Sequence, residues 1–171
     1  LHETRPSLPL EGEWTLAGFC DHLATLELWP EPPEWDVALR FRNWAFESAA
    51  RWLPLASRSK LLPAIDLLAV RLALTAIAAD GRGRAVNLAL ASLADGAFAA
   101  QLRQLLADSP RGARGLWLEV GEAAALSHFE LVRAFAALVR PLGVRFGLEH
   151  AGHQLYRAPR LYELGLDYVK L

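Results

Sequence analysis

The sequence predicts an α/β fold built on a parallel β-sheet. From residue 60 onward, short apolar segments of strand length alternate with segments of helical periodicity, at intervals of roughly 20 to 30 residues. Alternation of this kind gives parallel strands joined by right-handed crossovers. The strand segments are apolar almost throughout, as expected where both faces of a sheet are covered. An open doubly wound sheet and a closed barrel both satisfy these observations, so the periodicity leaves that choice open.

The predicted elements begin with a mostly buried helix, because apolar residues recur at helical spacing around Asp66 and Arg71. Two apolar runs of strand length flank an amphipathic helix that ends before Pro110. Ser127 and Glu130 have the spacing of a capping box and open the next helix. In chain order, the predicted elements are helix 61–79, strand 84–90, helix 94–107, strand 115–120, helix 127–139, strand 143–148, short helix 159–164 and strand 166–171.

The first third of the chain differs in composition from the rest. Residues 1–55 hold five of the six tryptophans and six of the ten prolines. Three prolines within 29–35 remove backbone donors and fix φ, so we expect a loop or a linker between short strands there. We therefore divide the chain into a Trp/Pro-rich part at 1–51 and an α/β core at 52–171.

Composition and charge exclude several classes of protein. With 171 residues, of which 53% are hydrophobic and 22% charged, the chain is suited to a soluble folded domain with its own core. A formal net charge of -1 argues against a nucleic-acid-binding protein, which carries a basic excess. Asp66 and Arg71 interrupt the most apolar stretch, so we expect no membrane-spanning helix. The single cysteine, Cys20, fits a reducing cytoplasmic setting, and the absence of methionine leads us to expect a fragment or a processed chain.

Four polar residues interrupt or follow the apolar strands near their carboxyl ends. They are Asn87, Glu119, Glu149 and Lys170. In parallel α/β folds this end of the strands lines the ligand site. Two carboxylates, an amide and an amine at one edge suit a divalent cation such as Mg²⁺ or Mn²⁺ together with a phosphate. An ion-paired or solvated role fits each residue taken singly at least as well, and only the four together favour a site.

Short motifs in the core lie in the order and at the spacing of one known family. They are Leu53-Pro54-Leu55-Ala56, Val86-Asn87-Leu88-Ala89, Leu116-Trp117-Leu118-Glu119-Val120-Gly121-Glu122, Glu149-His150-Ala151-Gly152, and Asp167-Tyr168 with Lys170. Together they resemble the EAL domain, the family of cyclic di-GMP phosphodiesterases and their inactive relatives. Upstream, 36–41 is similar to the Glu-Ala-Leu-Leu-Arg-Trp signature of that family, with Asp36 in place of the glutamate.

The resemblance implies a TIM-like (β/α) barrel of the EAL type, with residues 1–51 as the N-terminal part of the same domain. It also implies a dinucleotide at the carboxyl-terminal rim of the strands and, in active members, two metal ions that activate a water. Asn87 and Glu119 fall on metal-ligand positions and Lys170 on a polar position near that water. Because the family continues past the position of Leu171, we expect an incomplete barrel, a first segment that fills the gap, or a homodimer that covers the edge.

Departures from the family's motifs indicate that catalysis is lost. Glu149-His150 stands where the family has two aspartates that bind metal. Glutamate is one methylene longer than aspartate, and histidine suits zinc, copper or iron better than magnesium. The family's early Gln-Pro pair is missing as well. We therefore expect no intact catalytic set, with Glu149 and His150 as altered positions and Lys170 as a retained one.

These observations predict a catalytically inactive EAL domain that binds cyclic di-GMP as a receptor and controls protein–protein contacts, resembling the LapD-type receptors. The expected ligand-binding residues are Asn87, Glu119, Glu149, Lys170 and Arg40. Arg40 would contact phosphate in a bidentate manner. Asn87, Glu119 and Glu149 would hold a metal if one binds. No cofactor is expected, and Mg²⁺ or Mn²⁺ would serve only residual activity.

The expected partners are cyclic di-GMP and either other modules of the parent protein, such as a GGDEF-like domain, or a signalling protein. No nucleic acid is expected. The expected location is the cytoplasm, including the cytoplasmic part of an inner-membrane protein. Two alternatives remain: a nucleotide-blind domain that acts through protein contacts, and a weak metal-dependent phosphodiesterase.

Overall fold

The computed structural model describes residues 26–28, 39–41, 53, 56–152 and 160–171. Its strands are β1 (Leu26–Leu28), β2 (Leu39–Phe41), β3 (Arg84–Asn87), β4 (Leu116–Gly121), β5 (Arg145–Glu149) and β6 (Tyr168–Val169). Its helices are α1 (Leu62–Asp80), α2 (Leu90–Leu93), α3 (Gly96–Asp108), α4 (Pro110–Gly115), α5 (Glu122–Ser127) and α6 (Phe129–Val139). Short 3₁₀ helices at Arg140–Leu142 and Leu161–Leu164 precede β5 and β6.

Strands β3 to β6 form a parallel sheet in the order β3-β4-β5-β6, so that neighbours in the chain are neighbours in the sheet. This is the parallel α/β arrangement that the alternating periodicity predicts. Strands β1 and β2 form a separate antiparallel pair in which Arg40 lies opposite Glu27. The predicted linker at 29–35 and the predicted boundary at residue 52 lie outside the described residues.

Helix α1 is the longest helix of the described residues and packs against β3. Its nineteen residues are apolar enough, by length and composition, to cross a membrane, yet half of its most apolar window is buried inside the fold. Val70 and Ala73 are fully buried and join the core. Gly81, with φ of 71°, ends the helix in the left-handed conformation, and its N–H donates to Ile77 O.

The sheet has one apolar face, which the helices cover. Leu118, Val120, Phe146 and Leu148 lie on this face and are at most 1% exposed. They pack in one cluster with side chains of α1, α3 and α6. Since successive strand residues point to opposite faces, the intervening residues lie on the second face. We call it the polar face; it is formed by Asn87, Trp117, Glu119, Arg145, Gly147, Glu149, Tyr168 and Lys170.

Several predicted boundaries are wrong for identifiable reasons. The strand predicted at 84–90 ends at Asn87, because Leu90 begins α2. The predicted capping box at Ser127 does not form: the Ser127 hydroxyl donates to Ala123 O at 2.7 Å, within the last turn of α5. His128 is the N-cap of α6 and makes no capping side-chain hydrogen bond. Helices α2, α4 and α5 were not predicted at all.

Candidate functional site

Four of the five predicted ligand-binding residues lie at the carboxyl edge of the parallel sheet. Asn87 lies directly opposite Glu119 in the register of β3 and β4. Glu149 lies opposite Gly121 at the end of β5, and Lys170 directly follows β6, where its N–H donates to Leu148 O. All four occupy the polar face, at the end of the strands where parallel α/β proteins bind ligands.

Glu119 is the central side chain of this edge. Only 2% of the residue is exposed. The Tyr168 hydroxyl donates a 2.9 Å hydrogen bond to its Oε1. Its Oε2 is buried and accepts no hydrogen bond within the described residues, while Lys170 Nζ lies 3.7 Å away. A buried carboxylate is costly unless charge and hydrogen bonds compensate it, so the edge keeps an oxygen that a further donor can satisfy.

Tyr168 reaches Glu119 because β5 has a glycine beside it. A Cβ on Gly147 would lie 2.5 Å from the Tyr168 ring, so any other residue at 147 would displace that ring. The ring also packs on Trp117 of β4, with 4.6 Å between ring centroids. The guanidinium of Arg145, which pairs with Trp117 from β5, lies 4.6 Å from the centroid of the Trp117 ring. Tyr168 is not among the site residues predicted from the sequence; its position two residues before Lys170, on the same face, is the signal that could have identified it.

Glu149 and His150 occupy the end of β5 and the turn after it. His150 Nε2 lies 3.6 Å from Glu149 Oε2, and this contact is an ion pair only when the imidazole is protonated. The His150 side chain is 86% exposed and its φ is 50°, in the left-handed region. The turn is attached to β6, because Ala151 N–H donates to Lys170 O at 3.0 Å. His150 therefore points mostly into solvent.

A second carboxylate, that of Glu122 directly after β4, binds the turn that follows β5. Gly152 N–H donates to Glu122 Oε1 at 3.2 Å, and Glu122 is buried at the start of α5. A carboxylate in the first turn of a helix is also favoured by the helix dipole. Glu122 belongs to the motif that carries the family resemblance, but no role for it is predicted from the sequence.

The connection after β3 is held by a third carboxylate. Asp66 on α1 accepts hydrogen bonds at Oδ2 from Ala89 N–H, at 2.8 Å, and from the Ser92 hydroxyl, at 2.6 Å. Burial raises the pKa of the Asp66 carboxyl to about 6, and the hydrogen bonds from Ser92 and Ala89 offset only part of that effect. Asp66 was read from the sequence only as an interruption of an apolar helix.

Arg40, the predicted phosphate ligand, lies in β2. The structure describes the backbone of β2 and not its side chains, so the role of Arg40 stays a prediction. The roles predicted for Asn87, Glu119, Glu149 and Lys170 are likewise predictions, although their positions are now known.

For active members the resemblance implies two metal ions, with Asn87 and Glu119 at ligand positions. Among the described residues, no group of three or more His, Cys, Asp or Glu side chains is placed to hold a metal ion. The Lys170 ammonium, at a position that the resemblance gives as retained, lies 3.7 Å from Glu119 Oε2. An exposed imidazole follows Glu149 where a second carboxylate would be needed.

A parallel α/β fold with a carboxylate, an amide and an ammonium at the carboxyl edge of its strands has its polar residues where proteins of this class bind ligands. The EAL domain family model matches residues 36–171, and the chain belongs to this family. The match begins at Asp36, the first residue of the segment that is similar to the family's signature. The N-terminal domain of a domain of unknown function, DUF8230, matches residues 1–64. No curated protein matches the chain.

Solved structures of EAL domains share the fold. The S helix-GGDEF-EAL structure of Vibrio cholerae LapD bound to c-di-GMP is 20% identical, with a TM-score of 0.73 over 80% of this chain and 34% of that one. The FimX EAL domain of Xanthomonas citri in complex with c-di-GMP is 24% identical, with a TM-score of 0.70 over 82% of this chain and 58% of that one. The FimX EAL domain of Pseudomonas aeruginosa bound to c-di-GMP is 21% identical, with a TM-score of 0.72 over 80% of this chain and 57% of that one.

These comparisons confirm the predicted family and its TIM-like α/β fold class. The chain spans between about a third and three fifths of the length of these three structures. The described part of the chain contributes the parallel strands β3 to β6 to that fold.

Proposed function

We propose that this EAL domain binds cyclic di-GMP at the carboxyl edge of β3 to β6, as a receptor that does not hydrolyse it. The observation that carries the proposal is the buried Glu119 carboxylate, which Tyr168 and Lys170 hold in place while Oε2 keeps its acceptor capacity. Membership of the EAL family supports the ligand, as do the LapD and FimX structures that contain it.

The chemistry of the edge suits such a ligand. A cyclic dinucleotide presents two phosphodiester charges together with ribose hydroxyls and guanine N–H donors. The Lys170 ammonium and the Asn87 amide offer donors to phosphate, and Glu119 Oε2 offers an acceptor to a ligand hydroxyl or N–H. In this proposal Arg40 adds the bidentate phosphate contact predicted from the sequence. A buried acceptor that gains a donor on binding adds to affinity and specificity.

The absence of hydrolysis is proposed from the composition of the metal-ligand positions. Two-metal hydrolysis needs carboxylates that hold both ions within a few ångströms of each other. Here His150 follows Glu149, and its side chain is exposed. Lys170 is close enough to Glu119 to balance its charge, so ligand binding in this proposal requires no metal ion. The binding signal would pass to a neighbouring module, such as a GGDEF-like domain, or to a partner protein through a change in contacts.

The test is calorimetric titration of the chain with cyclic di-GMP, once with Mg²⁺ and once with EDTA, followed by chromatography of the nucleotide. We expect micromolar or tighter binding in both buffers and recovery of intact ligand. Glu119→Gln should weaken binding at least tenfold, because the buried acceptor loses its charge and its attraction to Lys170. Glu130→Gln is the matched control, since Glu130 is exposed on α6 and ion-paired with Arg133.

Each other outcome selects a different function. Linear product in Mg²⁺ but not in EDTA would identify a weak metal-dependent phosphodiesterase. No heat in either buffer would refute the receptor proposal and leave the nucleotide-blind interaction domain. Equal affinities of the Glu119 and Glu130 variants would place the ligand elsewhere on the domain.

A further inference from the structure

Asp66 connects helix α1 to the segment that follows Asn87. Its Oδ2 accepts the Ala89 N–H at 2.8 Å and the Ser92 hydroxyl at 2.6 Å. Asp66 is 7% exposed and Ser92 is fully buried, so water does not compete for these bonds. Ala89 is the N-cap of α2 and has no side chain that could cap it. The start of α2 is therefore bound by a carboxylate that comes from another helix.

The same segment is bound from its other side by β4. Leu88 N–H donates to Glu119 O at 2.8 Å, which continues the β3–β4 pairing one residue past Asn87. The two residues after Asn87 thus donate their N–H groups in turn to β4 and to Asp66. This double attachment fixes the backbone on the carboxyl side of Asn87, at the edge where the ligand is proposed to bind.

The negative charge at this position is disfavoured by burial, although the carboxylate accepts two hydrogen bonds. Burial opposes its ionisation more strongly than its two hydrogen bonds favour it, and the pKa of Asp66 is raised accordingly. A neutral side chain of the same shape would remove this cost. A charged acceptor does, however, make shorter and stronger hydrogen bonds than a neutral one. What the charge provides is therefore rigidity of the connection after Asn87 rather than stability of the whole domain.

We propose that Asp66 is a positioning residue for the nucleotide site: it fixes the β3–α2 connection and thereby the direction in which Asn87 presents its amide. This inference rests on the proposed function, because it takes Asn87 as part of the binding edge. It assigns Asp66 no contact with the ligand.

The test variant is Asp66→Asn, which keeps the shape and one acceptor oxygen but loses the charge. We expect its free energy of unfolding at pH 7 to equal or exceed that of the wild type, while its Kd for cyclic di-GMP rises about tenfold, the scale of weakening one charge-assisted hydrogen bond. A residue with only a structural role would lower stability and affinity together. A combination of unchanged stability and unchanged Kd would overturn the inference.

The matched control is Asp80→Asn, the same substitution on the same helix at the opposite edge of the sheet. Asp80 accepts from Arg82 N–H and pairs with Arg84, at the start of β3. We expect this variant to lose some stability and to keep its Kd within twofold. A comparable loss of affinity in both variants would show that α1 acts through general stability, against the inference.

A second measurement does not depend on the ligand. Amide hydrogen exchange of Ala89 should be faster in Asp66→Asn than in the wild type, whereas exchange of Gly81, whose N–H donates to Ile77 O, should not change. Unchanged exchange at Ala89 would overturn the inference whatever the affinity. A wild-type chain that binds no cyclic di-GMP would instead refute the proposed function, and the exchange data would still show whether Asp66 fixes the connection.

Discussion

Tyr168 and Lys170 act on Glu119 in different ways, although both come from β6 and the residue after it. The tyrosine hydroxyl gives Oε1 a neutral donor at 2.9 Å, and the ammonium gives Oε2 a charge at 3.7 Å without a hydrogen bond. The first contact fixes the carboxylate's orientation and the second balances its charge. Since the Lys170 side chain is 42% exposed, it can turn toward a phosphate while Tyr168 keeps Glu119 in place.

Tyr168→Phe therefore tests the support of Glu119 separately from its charge. Removing the hydroxyl leaves a buried carboxylate oxygen without its donor, and we expect the free energy of unfolding to fall by about 1–3 kcal/mol. Urea denaturation measures the loss. Tyr162→Phe is the matched control, because Tyr162 is 80% exposed and should change stability little. Equal effects of the two substitutions would mean that the Tyr168–Glu119 bond contributes nothing.

The residues of the site divide into those that the sequence could reveal and those that it could not. Asn87, Glu119, Glu149 and Lys170 were found because each is a polar residue at the end of an apolar strand. Tyr168, Glu122 and Asp66 were missed, since their partners lie far away in the sequence. The three contacts join residues 49, 30 and 23 positions apart, and only the folded arrangement of strands, helices and turns brings them together.

At the scale of elements, periodicity identified the long helices and failed for the short ones. Helices α1, α3 and α6 have eleven to nineteen residues, enough for the apolar spacing to repeat. Helices α2, α4 and α5 have four to six residues, less than two turns, so no period develops in them. The helix predicted at 94–107 does end before Pro110, since α3 ends at Asp108, but Pro110 also begins α4, where proline is favoured.

Two glycines at helix ends allow the effect of backbone φ on stability to be measured without a change in side-chain packing. A Cβ on Gly81 or on Gly96 would meet nothing within 4 Å. They differ in φ, which is 71° at Gly81, after α1, and is not in the left-handed region at Gly96, the first residue of α3.

Opposite signs are therefore expected for the same substitution at these two sites. Gly81→Ala should lower the free energy of unfolding by about 1 kcal/mol, because alanine is strained at positive φ. Gly96→Ala should raise it by about 0.5 kcal/mol, because alanine restricts the unfolded chain. Thermal and urea denaturation of the two variants give the comparison. Destabilisation of similar size in both variants would contradict the left-handed conformation of Gly81 at the end of α1.

The stability of the folded domain depends on pH through carboxyl groups whose pKa values are shifted in opposite directions. Hydrogen bonds from Arg82 and Arg84 lower the pKa of Asp80, and a hydrogen bond from Arg160 lowers that of Glu163. Such groups stabilise the fold above their ordinary pKa and lose that effect as the pH falls. Both are on the surface, where water screens their interactions, so their effect is small. Asp66 is buried and behaves in the opposite sense.

The folded state holds the Asp66 proton up to a pH of about 6, whereas an ordinary aspartate releases it near 3.8. Between these two pH values folding takes up a proton. The contribution of Asp66 to the free energy of unfolding therefore falls as the pH rises from 3.8 to about 6. The fall amounts to at most about 3 kcal/mol, and the contribution is constant at higher pH. Asp66→Asn should therefore gain stability over the wild type as the pH is raised from 4 to 6.5, since the other carboxyl groups are common to both chains and cancel. Urea denaturation at half-unit steps measures the difference. Parallel curves would mean that Asp66 ionises alike in the folded and unfolded chains, and that the charge holding the β3–α2 connection carries no cost.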